Sequence, residues 1–475
     1  MRLHLLLLAL LCASAFAGPA SVVDEGGPVD GSQCGCAVGS QAKESDFSRA
    51  GSVLRDLPLL NTPEGVSVGS SESEVVRALN EKMVFIPAGV GYMGTDSPWM
   101  RLDGESPRRR VRLSPYYLDK YEVSNADFQS FVLETNFTTE SELFGWSFVF
   151  APAVPAPLLA SIEQAVQGAQ WWVPVDRSNW LYPEGRLSAE QLAQAEAAAG
   201  VGPGKSVNRT DACSLGESFR YLLGRDVFSS GRGEHPVVHV SHNDAQSYCA
   251  WRNTGKMGTT GNTGESSLVE QGIDEGRMVV RLPSEAEWEH AANGPLAAEG
   301  AGGADAEAVD RAGRLYPWGE KFLPSGAHRA NIFQGRFPQH NSEKDGFAFT
   351  APVTAYGAQN GYGLYNMVGN VWEWVLDRHT VHHTPDTGTA ASIPSNPSGP
   401  ATGEERVKKG GSFMCQKSFC YRYRNAARYP STPDSATYNI GFRCARGVPL
   451  GEGEDGGGAG GGRGGGDVGG GGDEL

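Results

Sequence analysis

Two cysteines five apart, Cys415 and Cys420, lie in the stretch Lys409-Gly410-Gly411-Ser412-Phe413-Met414-Cys415-Gln416-Lys417-Ser418-Phe419-Cys420-Tyr421-Arg422-Tyr423-Arg424. On a helix, side chains five apart point roughly 140° away from each other, and on a strand they fall on opposite faces. The two sulfurs therefore converge only if the backbone bends between them. Gly410-Gly411 permits an unusual approach into such a bend. A converged pair can be a local structural disulfide. It can equally be two thiolates that bind a soft metal or exchange disulfides.

Oxygen-bearing residues form the next candidates. Asn366 to Trp374 mixes Asn and Glu side chains with a bend at Gly369, and Asn331-Ile332 with Asp345-Gly346-Phe347 offers a second set. A hard cation such as calcium takes six to eight oxygens, backbone carbonyls included. Neither set is an EF-hand, and Asn and Asp also serve ordinary turns. His379, His382 and His383 lack a third ligand type at fixed spacing, so a packed or exposed histidine turn competes with zinc. Glu122, ahead of Ser124, could receive a cationic side chain or simply end a strand. Arg422, Arg424 and Arg428 could hold an acidic or peptide ligand, or be paired structural arginines.

The cysteine count bears on this chemistry. Of eight cysteines, Cys12 falls in an apparent signal sequence: Arg2, the apolar run Leu5 to Leu11, then Ala15-Phe16-Ala17 before Gly18. Removal of residues 1–17 leaves Cys34, Cys36, Cys213, Cys249, Cys415, Cys420 and Cys444. That number is odd, so at least one thiol is free or pairs with another chain. Export implies an oxidising compartment. The ending Gly472-Asp473-Glu474-Leu475 is a variant of the K-D-E-L retrieval signal, carried on a Gly-rich tail, residues 449–475. The expected location is the lumen of the endoplasmic reticulum, with part of the protein secreted. No later run is long enough for a membrane span. A net charge of −15 argues against nucleic acid as partner.

The elements that must position these residues are short. Gly 64 and Pro 28 in 475 residues favour loops and tight turns. Residues 18–80 read as a flexible extension carrying Cys34-Gly35-Cys36, a pair suited to exchange with a partner or merely exposed. A folded region spans 81–448. Within it, inserts are expected near 184–234, 253–276 and 295–311, the first containing a capping box at Ser188 and Gln191. Ser124 caps a helix with Phe128, Phe131 and Val132 on one face. Ser241 caps a helix bearing Ala245, Tyr248 and Cys249, and Ser284 with Glu287 forms a capping box. Asn136 and Asn208 head glycosylation sequons, each a surface-loop expectation.

Ordered blocks carry a specific resemblance: Phe85 to Gly89, Tyr121 to Asn125, Arg281 to Glu289, Tyr316 to Gly319, Gly361 to Trp374, Gly410 to Ser412 and Gly441 to Cys444. Together with the narrower block Phe413 to Arg424, they resemble the formylglycine-generating enzymes, or sulfatase-modifying factors. The implied fold is α+β with little regular structure, related to C-type lectin-like domains. The implied activity is oxidation of one cysteine, within a C-x-P-x-R motif of newly made sulfatases, to formylglycine. Oxygen is the oxidant and an external thiol or oxidoreductase the reductant, for which Cys34 and Cys36 are a candidate route. By resemblance, Cys415 and Cys420 bind Cu(I) and Ser412 is the polar residue beside them. Glu122 would meet the substrate arginine, and Ser147 and Arg428 are read as substrate contacts. Calcium ligands would be Asn331, Ile332, Asp345 and Phe347 at one site, and Asn366, Gly369, Val371 and Glu373 at the other. Cys249 would pair with Cys444. A second disulfide known in animal members maps to Ala292 and Asn425 and is absent. Trp146 stands where aspartate is common, and Gln416 where histidine is common. Non-catalytic paralogues lack the cysteine pair, and a lectin-like binding module would keep it as a structural bridge.

Overall fold

The computed structural model describes residues 74–191, 226–253, 279–295 and 314–448. The expected signal segment, Cys34 and Cys36, Asn208, Cys213, the bodies of the inserts and the tail lie outside the described residues. The strands are short, as the Gly and Pro content predicts. They are β1 (Met83–Ile86), β2 (Gly89–Met93), β3 (Arg109–Leu113), β4 (Tyr116–Asp119), β5 (Trp146–Phe150), β6 (Trp172–Asp176) and β7 (Val280–Arg281), followed by β8 (Gly335–Arg336), β9 (His340–Asn341), β10 (Trp372–Arg378), β11 (Arg406–Lys409), β12 (Arg428–Ser431), β13 (Ile440–Phe442) and β14 (Ala445–Gly447).

One sheet runs β1-β4-β14-β7, so the last strand pairs with strands from the start and middle of the folded region. A second runs β12-β11-β10-β13, with β10 and β13 parallel. Three hairpins, β2-β3, β5-β6 and β8-β9, complete the strands. The architecture is α+β with modest regular structure, as expected. No helix among the described residues is long and apolar enough to cross a membrane.

Caps fix where the helices begin. Ser124 Oγ accepts from Asp127 N at 3.1 Å, and helix Asn125–Thr135 turns Phe128 and Phe131 into the core. Ser241 and Asp244 form a full capping box on helix His242–Trp251, which buries Ala245, Tyr248 and Cys249. Ser284 and Glu287 do the same for helix Glu285–Asn293. Asn136 ends the first helix in the left-handed region, exposed, where its sequon is expected at the surface.

The folded region starts earlier than residue 81. Helix Glu74–Glu81 buries Val76 and Leu79, three apart on one face, and Arg252 donates to the Leu79 carbonyl at 3.1 Å. The first insert is also narrower than composition suggests, because its stem is built into the core. Glu184 and Arg232 form a buried bidentate pair, and Tyr438 donates to the same carboxylate. Asn253 bonds both N and O of Val280, and Arg314 donates to Pro295 O.

Cys249 and Cys444 form a disulfide whose Cα atoms are 5.8 Å apart across 195 residues of sequence. It ties helix His242–Trp251 to the segment between β13 and β14. Closing so long a loop restricts the unfolded chain strongly. The double replacement Cys249→Ser with Cys444→Ser is expected to cost about 3–5 kcal/mol, read as a lower urea midpoint.

Candidate active site

The bend demanded by the cysteine spacing is present. Phe419 N and Cys420 N both donate to the Gln416 carbonyl, at 3.0 and 2.7 Å, and Cys415 N donates to Ser412 O at 2.8 Å. Gly410 and Gly411 have φ of 88° and 71°. A Cβ at Gly410 would lie 2.8 Å from Met367 O, and one at Gly411 2.9 Å from Tyr423 N, so only glycine fits. The result joins Cys415 and Cys420 as a disulfide with Cα atoms 4.7 Å apart. Cys415 is 1% exposed and Cys420 8%, so Cys420 is the sulfur nearer the surface.

Ser412 is fully buried beside the pair. Its Oγ accepts from Asn439 Nδ2 at 3.0 Å and from Met414 N at 3.3 Å. Both contacts use the oxygen as acceptor, so its own proton is committed to neither. Asn439, between β13 and the Thr437 turn, escaped the sequence reading because nothing in local spacing links it to Ser412. Around the loop, Phe337 stacks on Phe419 at 4.4 Å, Trp171 meets Phe419 at 5.0 Å, and Tyr316 and Tyr421 share a hydroxyl contact. Trp99, 58% exposed, stands edge-on to Tyr421 at 5.0 Å.

Three arginines of this region are structural. Arg422 binds Asp103, Arg424 binds Glu105, and Arg428 binds Glu285 through both carboxylate oxygens at 2.8 Å. The first two pin the loop that carries Trp99 onto the cysteine loop. Arg428 is buried, with its charge paired to Glu285. His379 and His383 turn Nε2 toward the carbonyls of Asp103 and Gly104, at 3.3 and 2.9 Å. No cluster of three or more His, Cys, Asp or Glu side chains suited to a metal occurs among the described residues.

Glu122 lies in the interior as well. It is 1% exposed, and its Oε2 accepts from Asn366 and Asn370 Nδ2 at 3.0 and 2.9 Å. Burial, then the nearby Glu373 carboxylate, pushes its pKa up to about 8. Ser147 is buried as well, its Oγ donating to Ala436 O at 2.5 Å and lying 2.8 Å from His239 Nδ1. It fixes β5 to the chain ahead of β13 and does not face solvent.

His239 itself is buried, with Nε2 2.8 Å from the Pro183 carbonyl, and burial drags its pKa down to about 3. A depressed histidine adds stability above its unfolded pKa, near 6.5, that is lost as pH falls from there toward 3. His239→Gln should therefore reduce the acid-induced loss between pH 7 and 5 by on the order of 2 kcal/mol, measured by urea unfolding at both values.

The two oxygen-rich loops brace the cysteine loop. Phe333 N donates to Cys415 O at 3.0 Å, Asn370 N to Asn331 O at 2.9 Å, and Phe413 N to Asn370 O at 2.8 Å. In the first set, Asn331 Oδ1 is buried without a partner, and the Asp345 carboxylate accepts from Ile332 and Phe347 N at 2.9 and 3.3 Å. In the second, Asn366 Oδ1 is likewise open, and Gly369 has φ of 85° with the site of a Cβ only 2.6 Å from Asn331 O. Glu373 differs. Its carboxylate is held by Arg443 at 2.6 and 2.7 Å and by Trp288 Nε1 at 2.7 Å.

Comparison with known proteins decides the family. Residues 70–448 match the sulfatase-modifying factor enzyme 1-like domain. The chain belongs to this family. It is 41% identical over 447 residues to the formylglycine-generating enzyme of Mus musculus, covering 93% of this chain and 92% of that one. Identity to the formylglycine-generating enzyme of Thermomonospora curvata is 42% over 364 residues, 76% of this chain and 92% of the other. The inactive C-alpha-formylglycine-generating enzyme 2 of Bos taurus is 36% identical over 374 residues, covering 78% and 90%. The sulfatase-modifying family thus includes proteins named as active and as inactive, and membership alone does not choose between them.

Proposed function

We propose that this chain converts the cysteine of a C-x-P-x-R motif in newly made sulfatases to formylglycine, using bound Cu(I), oxygen and a thiol reductant. The observation that carries the reading is the convergence of Cys415 and Cys420 on one bend beside Ser412. Two thiolates with no third His, Cys, Asp or Glu grouped with them among the described residues suit a soft monovalent ion. Once reduced, the pair would hold Cu(I), which supplies oxygen activation. The rest falls to the protein. The loop holds both sulfurs at low exposure, Cys420 the more exposed of the two, and Ser412 keeps a hydroxyl proton available beside them. Exchanging –CH2–SH for –CHO with release of hydrogen sulfide is a two-electron oxidation. Oxygen takes four electrons, so two thiols must supply the remainder as they form a disulfide. Cys34 and Cys36 are a candidate relay for those electrons.

A non-catalytic role like that of the inactive relative is the second reading; the paired cysteines favour the first. The test is mass spectrometry of a C-x-P-x-R peptide incubated with the protein, copper, oxygen and dithiothreitol. An aldehyde at cysteine supports the proposal, and unchanged peptide under those conditions rejects it. We place the action in the lumen of the endoplasmic reticulum, in line with the leader and the D-E-L ending.

Calcium is proposed as a structural ion. The first set fits it well, with Asn331 Oδ1 open, Asp345 opposite, and Ile332 and Phe347 offering carbonyls. The second, with Gly369 and Val371 as carbonyl donors, fits in part, since Glu373 must be shared with Arg443. Calcium should raise the thermal midpoint and Asn331→Ala should remove most of that rise. A midpoint indifferent to calcium would oppose this assignment.

A further inference from the structure

Large apolar side chains grouped in water mark contact surfaces. Two stand on the loop of residues 99–105, Trp99 and Leu102, the latter 84% exposed. The loop is braced and cannot fold them inward. Trp99 N and Met100 N both donate to the buried Glu105 carboxylate, at 3.0 and 3.3 Å, and Asp103 N donates to Met100 O at 3.0 Å. Gly104 turns the chain with φ of 75°, and a Cβ there would lie 2.9 Å from Val381 Cα. Val381, also exposed, borders this turn.

The other side of the loop is fastened to the cysteine loop. Asp103 accepts from Arg422 Nε at 2.6 Å, Glu105 pairs with Arg424, and Trp99 meets the Tyr421 ring at 5.0 Å. These three anchors follow Cys420 by one, two and four residues. The apolar surface therefore begins beside the more exposed of the two sulfurs. It runs from Tyr421 to Trp99, with Leu102 three residues further along the same braced loop.

We infer that Trp99 and Leu102 form a docking surface for an apolar side chain of the substrate polypeptide, outside its reactive motif. The inference rests on the function proposed above. A polypeptide that presents its sulfur to Cys420 lays further chain over the surroundings of that residue, and Trp99 stands there. A newly made chain that has not folded exposes leucines and aromatics that its native state buries. The surface thus favours a substrate that is still unfolded. Because the loop is already fixed, little ordering of the protein opposes the contact.

The experiment compares two peptides that share C-x-P-x-R, one flanked on both sides by leucine and the other by serine. Both are tested on wild type, Trp99→Glu and Leu102→Glu. Leu133→Glu, at an exposed leucine of helix Asn125–Thr135, controls for added charge. The expected result is a KM about tenfold lower for the leucine-flanked peptide on wild type. Trp99→Glu and Leu102→Glu should each remove most of that advantage, Leu133→Glu should keep it, and the melting midpoint of Leu102→Glu should match wild type. No advantage on wild type, or one that survives both substitutions, overturns the inference. So does a wild-type dimer in sedimentation that Leu102→Glu disperses, since a second copy would then occupy the surface. Should wild type turn over neither peptide, the same pair with serine in place of the reactive cysteine is titrated by fluorescence anisotropy. Leucine-dependent binding that Leu102→Glu abolishes upholds the surface while removing the oxidase. Binding indifferent to leucine, or none, removes the surface.

Discussion

Cys415→Ser and Cys420→Ser should each lower aldehyde formation on a C-x-P-x-R peptide by at least roughly a thousandfold, with little change in fold. The two sulfurs act as one unit, so losing either is as damaging as losing both, and the double variant should be no worse than the singles. Serine keeps the shape and lacks the soft donor. The bend itself is held by backbone bonds from Phe419 and Cys420 to Gln416 and from Cys415 to Ser412, none of which needs sulfur. Circular dichroism and the melting curve should therefore stay close to wild type while mass spectrometry finds no product. Parallel loss of fold and activity would make the pair a structural bridge, the competing reading of its spacing.

Arg443→Leu should be among the most destabilising single changes in the chain. Arg443 lies fully buried against Glu373 and also donates to the carbonyls of Asp119 and Tyr365. It is the cation between two interior acids, Glu373 and Glu122. Removing it leaves buried carboxylates uncompensated, at a cost of about 3–5 kcal/mol. Against total stabilities of about 5–15 kcal/mol, that is enough to lower the yield of folded protein sharply. Adding Glu373→Leu to Arg443→Leu should recover part of the loss, since it removes the stranded charge. Urea midpoints for the two singles and the double measure this directly. A fully additive double variant would contradict the coupling.

Much of the local structure is legible in the sequence. Ser124, Ser241 and Ser284 begin helices where their types and the residues three further on say they should. The cysteine spacing demands a bend and the bend is there, with glycines at the two positions that tolerate no Cβ. The order of motif blocks points to the family. What remains hidden is which polar residues the fold buries. Glu122 and Arg428 read as available charges because a carboxylate before a helix, or an arginine in a basic run, looks the same whether it meets solvent or a partner more than a hundred residues away. Their partners, Asn366 and Glu285, are 244 and 143 residues distant. Even the shorter separation of 27 residues conceals Asn439 behind Ser412, and the strand pairing that sets Asp176 beside Trp146 is hidden in the same way. Val76 and Leu79 stay hidden for another reason, since a helix of 8 residues, about two turns, at the edge of a Gly/Ser-rich stretch carries too little periodicity.

The central claim is that Cys415 and Cys420, reduced, form one binding site for a soft monovalent metal. Anaerobic titration with Cu(I) against a competing chelator tests it most directly. The account predicts one Cu(I) per chain for the reduced protein, and loss of that high-affinity site in both Cys415→Ser and Cys420→Ser. No tight Cu(I) binding, or binding that survives either substitution, would contradict it.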